Sequence, residues 1–167
     1  MVEVKNKERQ VKMAGGENVF IEWIDKNIEK GKTVLELGSG HISTQQLSKM
    51  GYKMISIEHN ANYLNYYESK YIHAPMKNGW YDVDVLQQEL KGLKYDVILI
   101  DGPVGVGNKS RLGFYDNMEL FDTSVPILIH DCERFGEREL KEKLSTKLNR
   151  HWFILDDSVT VGKSALV

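Results

Sequence analysis

At 167 residues the chain is the size of one domain, long enough to bury a real core and too short for an added substrate domain. It is 41% hydrophobic and 28% charged, and 22 Lys and Arg against 24 Asp and Glu leave a formal charge of −2, so it has no basic field for nucleic acid or an anionic membrane. One cysteine, Cys132, excludes an intrachain disulfide and a cysteine zinc set; with no signal-peptide pattern and no apolar run of membrane length, the expected location is cytoplasmic.

Residues 1–17 lack a clear period and end near Gly15-Gly16, which reads as a flexible N-terminal arm, either frayed or a lid. No repeat or linker divides the rest, so 18–167 is expected to form one domain. Phe20, Ile24 and Ile28, with Trp23 alongside, recur at helical spacing over 18–30, and Gly31 stops that helix. Val34-Leu35-Glu36-Leu37 then suits a central parallel strand, Gly38-Ser39-Gly40 a turn permitting positive φ and close ligand approach, and 43–50 a helix whose free N–H groups face that turn.

Past Gly51, Lys53–Glu58 reads as the second strand, and 60–67 as an Asn-capped helix whose tyrosines pack onto the sheet. Residues 71–75 form a short third strand, 77–82 a polar loop with aromatics, and 84–91 a helix. Val97–Ile100 is an unbroken apolar run, the mark of a strand buried on both faces, and it ends on Asp101. A loop through Pro103, Gly105, Gly107 and Arg111 leads to a helix over 112–121. The strand 125–129 ends on His130-Asp131, with Cys132 as a small buried group beyond it. A helix over 137–148, a strand over 151–155, a turn at Asp156-Asp157-Ser158 and a strand over 159–167 complete the alternation.

Two features of this pattern point to chemistry. Glu58 closes the second strand 18 residues beyond Gly40, the place at which nucleotide-binding α/β folds set a carboxylate on the ribose hydroxyls. Glu36 stands two residues before the first glycine, and the third glycine of a dinucleotide fingerprint is replaced by Ser43. A carboxylate there suits a cation and repels a pyrophosphate. Asp101 and His130-Asp131 end neighbouring strands where an open α/β sheet puts its ligand crevice. His130 is a candidate base for a hydroxyl nucleophile, and Asp101 with Asp131 a candidate pair of oxygen ligands for Mg²⁺. The bland alternatives are a hydrogen-bonded structural histidine, a turn-capping Asp101 and a His41 that merely begins the helix.

The E-x-G-x-G of Glu36-Leu37-Gly38-Ser39-Gly40 resembles motif I of the class I S-adenosylmethionine-dependent methyltransferases. The resemblance implies a Rossmann-like, seven-stranded, mostly parallel sheet with helices on both faces and an antiparallel last strand, which the closing strand–turn–strand matches. It makes Glu36, Gly38, Ser39, Gly40, His41, Ser43, Glu58 and Asp101 candidate cofactor contacts, and Trp80 or Tyr81 a ring contact at the adenine. Gly38–Ser43 as G-x-G-H-x-S, Asp101–Gly105 as D-G-P-x-G, Arg111, and His130–Glu137 as H-D-x-x-R-x-x-E together look like the plant polysaccharide O-methyltransferases, which methylate glucuronic acid side chains of xylan. The match runs over about 33–155.

In that family the reaction uses S-adenosylmethionine and is assisted by a divalent metal such as Mg²⁺; Asp101 and Asp131 also fall after the fourth and fifth strands, where catechol-type O-methyltransferases place metal ligands, and Asp101, His130 and Asp131 are the candidate catalytic residues. Arg111 and Arg134 suit a uronic-acid-like carboxylate on the acceptor, the bland alternative being surface or ion-paired arginines. The chain departs from the family in that no membrane anchor is expected before the domain and in Asn108-Lys109-Ser110, where the family has Pro-Gly. The expected function is O-methylation of a small-molecule or carbohydrate hydroxyl, with no nucleic-acid or membrane partner. A non-catalytic S-adenosylmethionine-binding module and an NAD-dependent oxidoreductase are the alternatives, and the oligomeric state stays open.

Overall fold

Both faces of strand β1, Thr33–Leu37, are buried, and that double burial places it at the centre of the sheet. The structure is a computed structural model and describes residues 17–104, 110–155 and 160–163. The expected arm before residue 17, the loop 105–109, the turn 156–158 and the chain after residue 163 lie outside the described residues. β1 pairs in parallel with β2 (Lys53–Glu58) and β6 (Val97–Ile100); β3 (Lys70–His73) lies outside β2, and β7 (Ile127–Ile129) outside β6. β9 (Thr160–Lys163) runs antiparallel to β7 and to the edge strand β8 (His151–Ile154). The order is β3-β2-β1-β6-β7-β9-β8: five parallel strands and an antiparallel pair, as expected from the sequence.

Side chains on alternating faces of the sheet feed two cores. Leu35, Leu37, Ile57, Ile98, Ile100 and Ile129 meet Leu86 of α3 (Val83–Glu89), Phe114 of α4 (Gly113–Asp116) and Leu140 and Leu144 of α5 (Phe135–Leu148). Val34, Met54, Val97, Leu99 and Leu128 meet Phe20, Ile21 and Ile24 of α1 (Glu17–Asn27) and Leu47 of α2 (Ser43–Lys49). Cys132 is buried, as expected, its thiol donating to the Ile129 carbonyl at 3.2 Å.

Three local expectations are corrected. Residues 60–67 are not a helix: Asn60 does cap, accepting the Asn62 N–H at 3.0 Å, but only a 3-10 turn, Ala61–Tyr63, follows before Leu64 turns extended and Asn65 takes φ +58. Asparagine competes with helix through such local bonds and through left-handed conformations, so Tyr63 and Tyr66 point outward, 54% and 69% exposed, instead of covering the sheet. Residues 77–82 are a hairpin, β4 (Met76–Lys77) and β5 (Trp80–Tyr81), turned by Asn78-Gly79 with φ +55 and +83; two left-handed residues match the right-handed twist of the strands. The helix over 112–121 is broken at Asn117, whose side-chain amide donates to the Gly113 carbonyl at 2.9 Å, leaving α4 and a 3-10 turn, Met118–Leu120. No helix among the described residues is long and apolar enough to cross a membrane.

Candidate functional site

Parallel order brings the carboxyl ends of β1, β2, β6 and β7 to one edge, and the site is assembled there from the loops that leave them. Gly38 ends β1 at φ +85 and donates to the Ile57 carbonyl at 2.9 Å. It crosses Gly102, after β6, so closely that a Cβ on Gly102 would lie 2.8 Å from Gly38 Cα and 2.6 Å from Tyr81 Oη. Gly40 differs from its expected role: its φ is not left-handed, and a Cβ there would meet only Ser43 Oγ at 3.6 Å. Glu58 fastens this turn, accepting from Ser39 N–H (3.1 Å) and Ser39 Oγ (2.7 Å) on one oxygen and from Asn60 N–H (2.8 Å) on the other.

Glu36 is fully buried. Its carboxylate accepts from Ser43 Oγ, from Thr44 Oγ1 at 2.6 Å and from Ser56 Oγ at 3.1 Å. Burial pushes its pKa up to about 8, against the pull of the Ser43 and Thr44 hydroxyls. Thr44 Oγ1 also accepts the Gly40 N–H at 2.9 Å. Glu36 therefore ties the glycine turn, α2 and β2 together beneath the crevice. The sequence reading gave Ser56 no role, although one polar residue in the apolar run Met54–Ile57 signals a buried partner, and the β1–β2 register sets Glu36 beside Ser56.

Asp101, His130 and Asp131 come together as expected. His130 Nδ1 lies 2.9 Å from Asp101 Oδ1 and 3.2 Å from Asp131 Oδ1, and the imidazole edge meets the Phe20 ring at 5.6 Å between centroids. Burial alone would lower the His130 pKa, but the hydrogen bonds to Asp101 and Asp131 outweigh it and raise the pKa to about 10. Asp131, at φ +59, is held down at about 2: burial pushes upward, and His130, Arg111 and Arg134 pull it below the usual range. The two carboxylates therefore favour the protonated ring over the free base.

Arg111 is corrected too. It is 4% exposed, with Nη1 donating to the His130 carbonyl (3.0 Å) and Nη2 to the Asp101 carbonyl (2.9 Å). Nη2 also lies 3.2 Å from Asp131 Oδ2 and 3.5 Å from Asp101 Oδ1, and Nε 3.4 Å from Glu137 Oε1. Arg134 is paired with Asp131 Oδ2 at 3.0 Å, and its side chain is 56% exposed.

No family model matches the sequence, and no curated protein matches it. Solved structures do. A methyltransferase from Geobacter sulfurreducens aligns at TM-score 0.60 and 11% identity over 90% of this chain and 80% of that one. The precorrin-6y C5,15-methyltransferase from Geobacter metallireducens aligns at 0.57 and 11% over 92% and 90%. The MycE methyltransferase of the mycinamycin biosynthetic pathway, in complex with Mg and SAH, aligns at 0.59 and 13%; this chain is covered to 88% but spans only about half of that one, 46%. The fold is that of the S-adenosylmethionine-dependent methyltransferases.

Within that fold the remaining expected contacts separate. Ser43 is committed to Glu36, and His41 is exposed at the mouth of α2. Trp80 turns away from the glycine turn: it is 4% exposed, stacks edge-on with Phe121 at 6.3 Å and presses on Gly113. It lines a cleft of about 320 Å³ with Lys77, Asp84, Asp116 and Asn117, apart from Glu58, Asp101 and His130. Its neighbour Tyr81 reaches the glycine crossing instead; the hydroxyl is buried and has no hydrogen-bond partner among the described residues.

Proposed function

We propose that this chain is an S-adenosylmethionine-dependent methyltransferase acting on a hydroxyl of a small-molecule or carbohydrate acceptor. The observation that carries the reading is the convergence at one sheet edge of the Gly38–Gly102 loops with Glu58, which ends β2, and Asp101, which follows β6. The two glycines let the loops after β1 and β6 pack backbone to backbone, and beside them the buried Tyr81 hydroxyl, without a hydrogen-bond partner among the described residues, suits a polar ligand. Ser39, Glu58 and the backbone of Gly38 and Gly40 would hold the adenosyl portion. Asp101, whose side chain is 22% exposed against 3% for Glu58, is the carboxylate most open to a cationic group.

S-adenosylmethionine when bound would supply a methyl on a sulfonium, which an oxygen nucleophile takes in line as the S–CH3 bond breaks and the neutral thioether leaves. The protein's share is alignment, which supplies much of the acceleration when the leaving group is good. His130 holds a proton at Nδ1 between Asp101 and Asp131 and accepts one from an acceptor only after losing its own. Turnover through His130 is therefore expected to rise with pH toward its pKa of about 10.

Calorimetry with S-adenosylmethionine, S-adenosylhomocysteine and NAD tests the cofactor. Binding of the first two and not the third is expected, and silence toward both sulfur compounds removes the proposal. Glu58→Ala is expected to weaken S-adenosylhomocysteine about 10- to 100-fold, the value of lost hydrogen bonds to a charged group. A methyl-transfer screen over uronic acids and catechols tests the acceptor; cofactor binding with no turnover on any acceptor would leave a binding module.

A further inference from the structure

Asp101, His130 and Asp131 present ligand atoms within 4.8 Å of one another, the spacing of a cation site. We propose that Arg111 is the cation of that site: its guanidinium takes the place a divalent metal would occupy, and the protein holds this cluster together without one. Asp131 has no oxygen to spare, since Oδ1 faces His130 Nδ1 at 3.2 Å while Oδ2 faces Arg111 Nη2 at 3.2 Å and Arg134 Nη1 at 3.0 Å. Asp101 Oδ1 is shared between His130 and the same Arg111 nitrogen. Mg²⁺ needs oxygens at about 2.0–2.1 Å in near-octahedral array, and of the carboxylate oxygens here Asp101 Oδ1 and both of Asp131 already face Arg111, Arg134 or the His130 ring.

Arg111 cannot swing aside cheaply. Its two terminal nitrogens also bind the Asp101 and His130 carbonyls at the ends of β6 and β7, and its Nε faces Glu137 in the first turn of α5. Removing it would take a donor from two carbonyls and a counter-charge from Asp101, Asp131 and Glu137, a costly loss in a buried site. A guanidinium stays charged throughout the working pH range and its rigid fork matches several acceptors at once, so it serves as a fixed internal counter-ion where an ammonium would not. Arg111 is on this account a positioning residue that orients Asp101 and Asp131, independent of the acceptor and of the cofactor.

Manganese titration followed by calorimetry and by the paramagnetic resonance of free Mn²⁺ tests this. Wild-type protein is expected to leave millimolar Mn²⁺ free, order of magnitude, because an internal cation already fills the site. Arg111→Met, which vacates it, is expected to gain Mn²⁺ binding and a higher melting temperature with Mn²⁺, both lost in the Arg111→Met/Asp131→Asn double variant. Wild-type binding of Mn²⁺ that Asp131→Asn abolishes would overturn the proposal, and that arm decides even where Arg111→Met does not fold. A folded Arg111→Met variant indifferent to Mn²⁺ would overturn it equally, showing that Arg111 does not stand in a cation's place. Both readouts are independent of methyl transfer.

Discussion

Gly102→Ala and Gly40→Ala alter two glycines of the same crevice by the same methyl group, and the structure predicts opposite outcomes. At Gly102 the new Cβ would lie 2.6 Å from Tyr81 Oη, 2.8 Å from Gly38 Cα and 2.9 Å from Gly38 N. Tyr81 is fully buried and the other two atoms are backbone, so no side chain can rotate away and the crossing itself must open. Overpacking of this kind costs about 1–3 kcal/mol; for a chain of this size that is a melting temperature lower by roughly 4–8 °C at 2 kcal/mol. At Gly40 the Cβ meets only Ser43 Oγ at 3.6 Å, ordinary contact, so Gly40→Ala is expected to leave stability unchanged or to raise it by about 0.4–1 kcal/mol through a less flexible unfolded chain. Urea unfolding followed by circular dichroism measures both, with the slope checked for constancy. S-adenosylhomocysteine calorimetry on folded Gly102→Ala adds the site readout, where at least a tenfold loss is expected, corresponding to about 1.4 kcal/mol. Equal midpoints for Gly102→Ala and wild type would refute the close approach and with it the crevice as described.

Three further outcomes follow from the same geometry. Glu36 has a folded pKa of about 8 against an ordinary 4.5, so its contribution is fully present below pH 4.5 and lost as pH rises to 8. The pH dependence of urea midpoints should therefore flatten in that window in Glu36→Gln. His130 is also raised, so its contribution is present below pH 6.5 and lost toward pH 10; His130→Gln should flatten the alkaline limb and leave the limb below pH 6 unchanged. Tyr95 Oη accepts the Asp122 N–H at 2.5 Å and is pushed up to about 12, chiefly by burial, so Tyr95→Phe should cost about 1–3 kcal/mol in unfolding free energy for the stranded amide without changing cofactor affinity.

The sequence by itself determined the sheet and the edge at which the site lies. Period-two and unbroken apolar runs mark β1, β2, β6 and β7 because burial on both faces leaves no choice of residue, and a strand that ends on Glu58, Asp101 or His130 exposes that ending wherever the strands run parallel. What the partners of those residues are was not legible. Glu36 reads as open to a cation and is closed over by three hydroxyls from α2 and β2. Arg111 reads as a receiver of substrate and is spent on Asp101, Asp131, Glu137 and two carbonyls; Trp80 and Tyr81 alternate along a hairpin, so that only one of them faces the crevice. These outcomes depend on distances between residues as far apart as 20 positions in Glu36–Ser56 and 29 in Asp101–His130, set by sheet order and by how closely two backbones approach. Local sequence fixes which groups arrive at the edge, and only the packed fold decides which of them neutralise one another and which are left for a ligand.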